Sequence, residues 1–108
     1  MSAKKISALE ARIENIRAAI QGIGAMRPGS LNLQYKDRAT KSGPYWQLNY
    51  THKMKTHTEY VRPVLLDQIR EEITEYKRFR DLIDSWVELS IQLSKLKVAE
   101  AKKLRENS

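Results

Sequence analysis

The sequence of 108 residues predicts an α+β fold, in which a helix, a three-stranded antiparallel β-meander and a second, longer helix follow one another. Three observations carry this. Apolar residues recur in alternating steps of three and four near the N-terminus and again through the C-terminal half, the narrow seam of a coiled-coil helix. Between those stretches the period drops to two, as on half-buried strands. Gly and Pro punctuate the changes of period and are absent from the last 45 residues.

The first helix is expected over 1–24. Ile6, Leu9, Ile13, Ile16, Ile20 and Ile23 form its seam, and Ala3, Ala8, Ala11, Ala18 and Ala19 add helix propensity. Gly22, Gly24 and the run Arg27-Pro28-Gly29 end it, since proline disfavours helix for the residue before it.

The meander is expected over 30–61. Leu31 to Tyr35, Trp46 to Tyr50 and, less cleanly, Thr56 to Tyr60 alternate, with SGP and THKMK as the turn regions. Gly29 and Ser30 read as a turn. Parity assigns Leu31, Leu33, Tyr35, Trp46, Leu48, Tyr50 and Tyr60 to a covered face. It leaves Asn32, Gln34, Lys36, Tyr45, Gln47, Asn49, Lys55, His57 and Glu59 outside. THKMK contains no glycine to fix a turn type, so the register of the third strand stays open, and a one-residue slip would exchange the faces of His57 and Glu59.

The long helix is expected over 63–105, with Pro63 at a first helical position. Its seam changes partway, from Leu66, Ile69, Ile73 and Tyr76 to Phe79, Leu82, Trp86, Leu89, Leu93 and Leu96, which predicts different packing partners for its two halves. The first half would cover the sheet. The second matches the N-terminal seam in length, so the two helices would form a coiled-coil-like antiparallel pair within one domain spanning 1–108; closure between two chains of a homodimer is the alternative. Beyond Leu96 the helix turns basic and is expected to be frayed or solvated.

Composition narrows the function classes. No cysteine is present, so disulfides and thiolate metal sites are out, which fits a reducing compartment with the cytoplasm as the default. Neither a secretory leader nor a membrane span is visible, so no membrane partner is expected. Catalytic patterns are scarce. His52 and His57 are the only histidines and are expected on opposite faces, which speaks against a shared metal. Glu71, Glu72 and Glu75 read as a solvated helix face. There is no Walker loop and no GxSxG, so an enzyme, a metal or a cofactor is not expected.

The formal charge of +7 is unevenly spread. Lys and Arg outnumber Asp and Glu by four to two in residues 1–24, by seven to two in 25–63, and balance at nine each in 64–108. The excess therefore frames the sheet. A solvated outer face is the ordinary state of an antiparallel sheet. Here, however, it combines amides, which pair with adenine edges, and cations, which take guanine edges and phosphates. The candidate nucleic-acid-binding residues are Arg27, Asn32, Gln34, Lys36, Arg38, Lys41, Tyr45, Gln47, Asn49, Lys53, Lys55, His57 and Arg62. Tyr45 alone among the ribbon's aromatics is assigned to stacking on a base; Trp46, Tyr50 and Tyr60 go to the core and Trp86 to the helical seam.

The order of strands and helix resembles the small three-stranded arm-binding domains of tyrosine recombinases, in topology only. The tract MRPGSLNLQY, GPYWQLNY, EYVRP and YKRFRDLID resembles, over about Met26 to Leu96, a family of short bacterial proteins of uncharacterised function that are often encoded near transposase genes. That family's usual cysteine-containing loop is replaced here by KDRATKS, residues 36–42, so the resemblance implies no metal. It offers no activity to carry over, and its genomic company points to DNA.

Two expectations follow. The first is a non-enzymatic protein that binds duplex DNA through the sheet's outer face, an accessory or regulatory factor of a mobile element; RNA is not separated from DNA by the sequence. The second is a protein-interaction module whose helical seams bind a transposase or another partner.

Overall fold

The computed structural model describes residues 2–106. Helix α1 (Ser2–Gln21), strands β1 (Ser30–Asp37), β2 (Ser42–His52) and β3 (Lys55–Val61), a 3-10 turn (Pro63–Leu65) and helix α2 (Leu66–Glu106) follow in that order, the α+β sequence expected. The long helix differs from expectation at its start. Pro63 opens a tighter turn in which Leu65 N–H donates to Arg62 C=O at 2.9 Å, and the α-helix begins three residues later. The chain divides into two compact units, residues 24–78 and residues 2–23 with 79–106.

In the first unit the sheet order is β1-β2-β3, both pairs antiparallel. Leu31 faces Leu48 and Leu33 faces Trp46 across β1 and β2, while Trp46 faces Val61 and Leu48 faces Glu59 across β2 and β3. Leu48, fully buried, forms the core with Val61, Ile69 and Ile73, and Leu31, Trp46, Tyr50 and Leu66 pack around it. The first turns of α2 thus cover the sheet, as the seam Leu66, Ile69 and Ile73 predicts. Burying a side chain such as Leu48 completely is worth about 1.5–3 kcal/mol, so this small cluster holds much of the unit's apolar stabilisation.

The segment before β1 is strapped to the same helix. Gly24 N–H donates to Glu75 Oε2 at 3.0 Å and Arg27 N–H to Glu72 C=O at 3.0 Å. The chain then passes close to β2 at Gly29, whose φ is +140°; a Cβ there would lie 2.6 Å from Leu48 Cδ1 and 3.0 Å from Asn49 O. Gly29 is therefore a point of close backbone approach rather than only part of a turn.

Three placements differ from the parity reading. Leu33 is 41% exposed: it lies on the edge strand β1 and, unlike Leu31, is not among the residues packed against the core cluster. Tyr60 is 64% exposed and Val61 only 5%, so the third strand presents the opposite set of residues to the helix from the one expected. The cause is the turn. His52 pairs with Lys55 across a two-residue loop, Lys53-Met54, with φ of 51° and 66°. Both positive values belong to the primed hairpin turn whose twist matches the strands. That register places Lys55, His57 and Glu59 on the face of Tyr50 and Leu48, and Thr56, Thr58 and Tyr60 on the other. His52 and His57 consequently share a face, contrary to expectation.

In the second unit the N-terminal seam and the seam from Phe79 to Leu96 are legible in burial. Their residues are buried or half-buried while most of their neighbours are exposed, and Leu9 and Leu89 are buried outright. Arg12, Asn15 and Ile16 line one cleft with Leu82, Ser85, Glu88, Leu89 and Gln92. The Arg17 guanidinium lies 5.8 Å from the centre of the Trp86 ring. Residues 101–106 are helical and exposed. No helix among the described residues is long and apolar enough to cross a membrane.

Candidate nucleic-acid interface

The outer face of the sheet is set by the pleat. On β1 it carries Ser30, Asn32, Gln34 and Lys36, on β2 Tyr45, Gln47, Asn49 and Thr51, and on β3 Thr56, Thr58 and Tyr60. None of these is acidic. Thr58 Oγ1 donates to Asn49 Oδ1 at 2.8 Å, which orients that amide with its NH₂ group left as donor. Asn32 Nδ2 donates to Ser30 Oγ at 3.4 Å, and the Thr51 and Thr56 hydroxyls lie 3.3 Å apart. In register Asn32 faces Gln47 and Gln34 faces Tyr45, so four amides occupy the middle of the surface.

The cations stand at its two ends. Arg38 and Lys41 belong to the β1–β2 turn, where Asp37 Oδ1 accepts from Ala39 N–H at 3.0 Å and Lys41 adopts φ 55°. Lys36 lies against Gly43, whose φ is +65° and whose missing side chain leaves the Lys36 stem its room; a Cβ there would be 3.0 Å from it. Arg62, following β3, falls at the same end. At the opposite end stand Lys53, in the β2–β3 turn, and Lys55, whose pairing with His52 puts it on the other side of the arm. Along β3 the two groups come within about 23 Å of each other, from Lys55 to Arg62 at roughly 3.3 Å per residue.

The register adds Tyr60 to this face. Its ring lies 6.5 Å from that of Tyr45, and both residues line a shallow recess with Lys36, Gly43 and Pro44. Alternation alone puts Tyr60 in the core; what it does not signal is that Val61, next door, can take that place.

Arg27 and His57 lie elsewhere. Arg27 Nη2 bonds Glu59 Oε2, Tyr50 Oη donates to Glu59 Oε1 at 3.1 Å, and the Arg27 guanidinium sits 5.0 Å over the Tyr50 ring. His57 stacks on Tyr50 with centroids 4.8 Å apart. These four side chains form one network on the helix-covered side rather than on the outer face. Glu59 is held below the usual carboxylate range, first by the hydrogen bond from Arg27, with burial opposing and the Tyr50 hydroxyl and the Arg27 charge assisting. Burial works against the charge on Arg27, yet its bond to Glu59 and their attraction raise its pKa overall. Arg27 is thus committed to an internal ion pair. Among the described residues no three His, Cys, Asp or Glu side chains gather where they could hold a metal.

Residues 4–71 match the family described as a domain of unknown function, DUF6788. The chain belongs to this family. The match begins earlier than the tract that carried the resemblance and ends earlier, taking in nearly all of α1, the whole sheet and the first turns of α2. All thirteen candidate residues of this DUF6788 member fall inside it. No curated protein and no solved structure matches the chain.

Proposed function

We infer that this DUF6788 protein is a non-enzymatic binder of duplex DNA that lays the outer face of its sheet against a groove. The observation carrying this reading is the acid-free face itself, four amides with Lys36, Arg38, Lys41 and Arg62 at one end and Lys53, in the turn, at the other. A β-ribbon is admitted by the major groove, where Asn and Gln can pair bidentately with adenine while cations hold the flanking phosphates. The resemblance to proteins encoded near transposase genes supports a role as accessory or regulatory factor of a mobile element, with the two helical seams closing as an antiparallel pair.

The test is fluorescence anisotropy on random duplex DNA across a salt series. With about five phosphate contacts, log K falls against log[salt] with a slope near −4 to −5. Replacing Gln47 and Asn49 by alanine reduces discrimination between sequences more than it reduces non-specific affinity. No binding to duplex at low salt refutes the reading.

A second reading is supported by Val87, Ile91 and Val98, exposed at steps of four and seven along α2. This stripe suits a helical partner, a transposase or a second copy of the chain. A protein that ignores DNA but changes its oligomeric state when Ile91 is made Lys would favour it.

A further inference from the structure

We propose that the β2–β3 hairpin ends in a wedge that inserts Met54 between stacked base pairs and bends the DNA, an inference that rests on the sheet being a DNA-contacting surface.

The last partner of β1 at that end of β2 is Asn49, opposite Ser30. Tyr50 to His57 therefore continue as a two-stranded arm without the third strand. Residues 51–58 are all exposed, and Met54, at the tip, is 97% exposed. Single apolar residues at a surface are common and need no explanation. Met54 differs because of how it is held. It and Lys53 both adopt left-handed backbone conformations, which Gly, Asn and Asp enter readily and other residues resist. An Asn-Gly pair would set the same register without strain, so register does not account for these two residues. What they add is a cation and a long apolar side chain at the furthest point of the arm.

The surroundings suit the same partner. Thr51, His52, Lys53, Lys55, Thr56 and His57 include no carboxylate, so both flanks can approach phosphate. Methionine is unbranched and polarisable, and with Phe, Leu, Ile and Pro it belongs to the set that proteins insert between base steps from the minor groove. The reach is also sufficient. From Leu48 at the centre of the sheet to the end of β2 at His52 is about 13 Å of strand at roughly 3.3 Å per residue, and the turn with the extended Met54 side chain carries the reach to nearly half of the ~34 Å helical turn of DNA. A sheet seated over one groove can thus carry its arm across the intervening backbone to the next.

The experiment pairs bending with affinity. A short duplex labelled at both ends is titrated with the full chain, reading end-to-end energy transfer, while anisotropy reads binding on the same duplex and on one carrying a two-base mismatch. The wild type is expected to shorten the end-to-end distance, in the range of kinks of about 20–90° that such wedges produce. It should bind the mismatched duplex about tenfold more tightly, because part of the unstacking is already done. Met54→Gly keeps the turn and removes the wedge: bending is lost, the mismatch preference falls below about twofold, and the salt slope is retained. Met54→Leu restores bending, and a thermal midpoint for Met54→Gly at or above the wild type shows that the fold is kept. Equal bending by Met54→Gly, or duplex binding by the wild type without bending, overturns the wedge and leaves the sheet-face reading standing. Absence of duplex binding at low salt overturns both.

Discussion

Replacing Gly29 by alanine tests whether the lead-in to β1 is held by close packing against β2. The new Cβ would sit 2.6 Å from Leu48 Cδ1, 3.0 Å from Asn49 O and 3.3 Å from Tyr50 Cβ, at a φ of +140°. Leu48 is fully buried and has no solvent side to turn toward, and Asn49 O belongs to the strand backbone. Overpacking of this kind costs about 1–3 kcal/mol and a strained backbone about as much again, which gives a loss near 4 kcal/mol. Small domains have only about 5–15 kcal/mol in total. Urea unfolding followed through Trp46, in a Trp86→Phe background so that only the sheet unit reports, would show a midpoint lowered by about 2 M for a slope near 2 kcal/mol per M. Gly24→Ala is the control, because nothing lies within 4 Å of its Cβ position, and its midpoint should barely move. A Gly29→Ala midpoint as close to wild type as that of Gly24→Ala would refute the reasoning.

The Arg27–Glu59 pair should also be visible in pH dependence. Because the Glu59 pKa is depressed in the folded state, its contribution is fully present above the unfolded carboxyl value of about 4.3 and is lost as pH falls through the lower folded value. Arg27→Ala, removing a half-exposed ion pair and a cation–π contact, should cost about 1 kcal/mol at pH 7, and that gap from wild type in urea midpoint should narrow in acid to the part owed to the cation–π contact. A gap that persists undiminished in acid would break the assignment. The register of β3 is checked by two neighbours: Val61→Ala should destabilise by about 2 kcal/mol and Tyr60→Ala by no more than about 0.5–1, and the reverse order in thermal or urea melts would restore the other face.

The parts legible in the sequence were those in which a period repeats. Six seam positions in α1, and a long seam in α2 with no Gly or Pro inside it, leave no competing reading, and Leu31-Asn32-Leu33 and Trp46-Gln47-Leu48 alternate without ambiguity. Since β1 and β2 followed that alternation, Asn32, Gln34, Tyr45, Gln47 and Asn49 fell on the outer face as their parity required. In β3, by contrast, Tyr60 and Val61 are adjacent apolar residues, and period two can put only one of them inside. Neither choice is favoured by the residues of the strand. It is decided by the turn, and THKMK does not announce a turn with two left-handed residues, because neither Lys nor Met is a residue that such a turn selects.

The same slip explains why Glu59 could not be placed from local sequence. A carboxylate on the helix-facing side of a strand reads as an error until its partner is known, since an unpaired charge there is costly. The partner, Arg27, lies 32 residues earlier, in a segment that local pattern marks only as the end of a helix. Once the register fixes Glu59 inward, one of the seven central cations is neutralised, Lys55 and His57 leave the outer face for the other side of the arm, and Tyr60 joins Tyr45 outside. The charge that remains for a polyanion is therefore not a ring around the sheet but two separated groups, with uncharged amides between them. That arrangement places phosphate contacts at the ends and base contacts in the middle, an assignment in which neutralising lysines changes salt dependence and truncating amides changes selectivity.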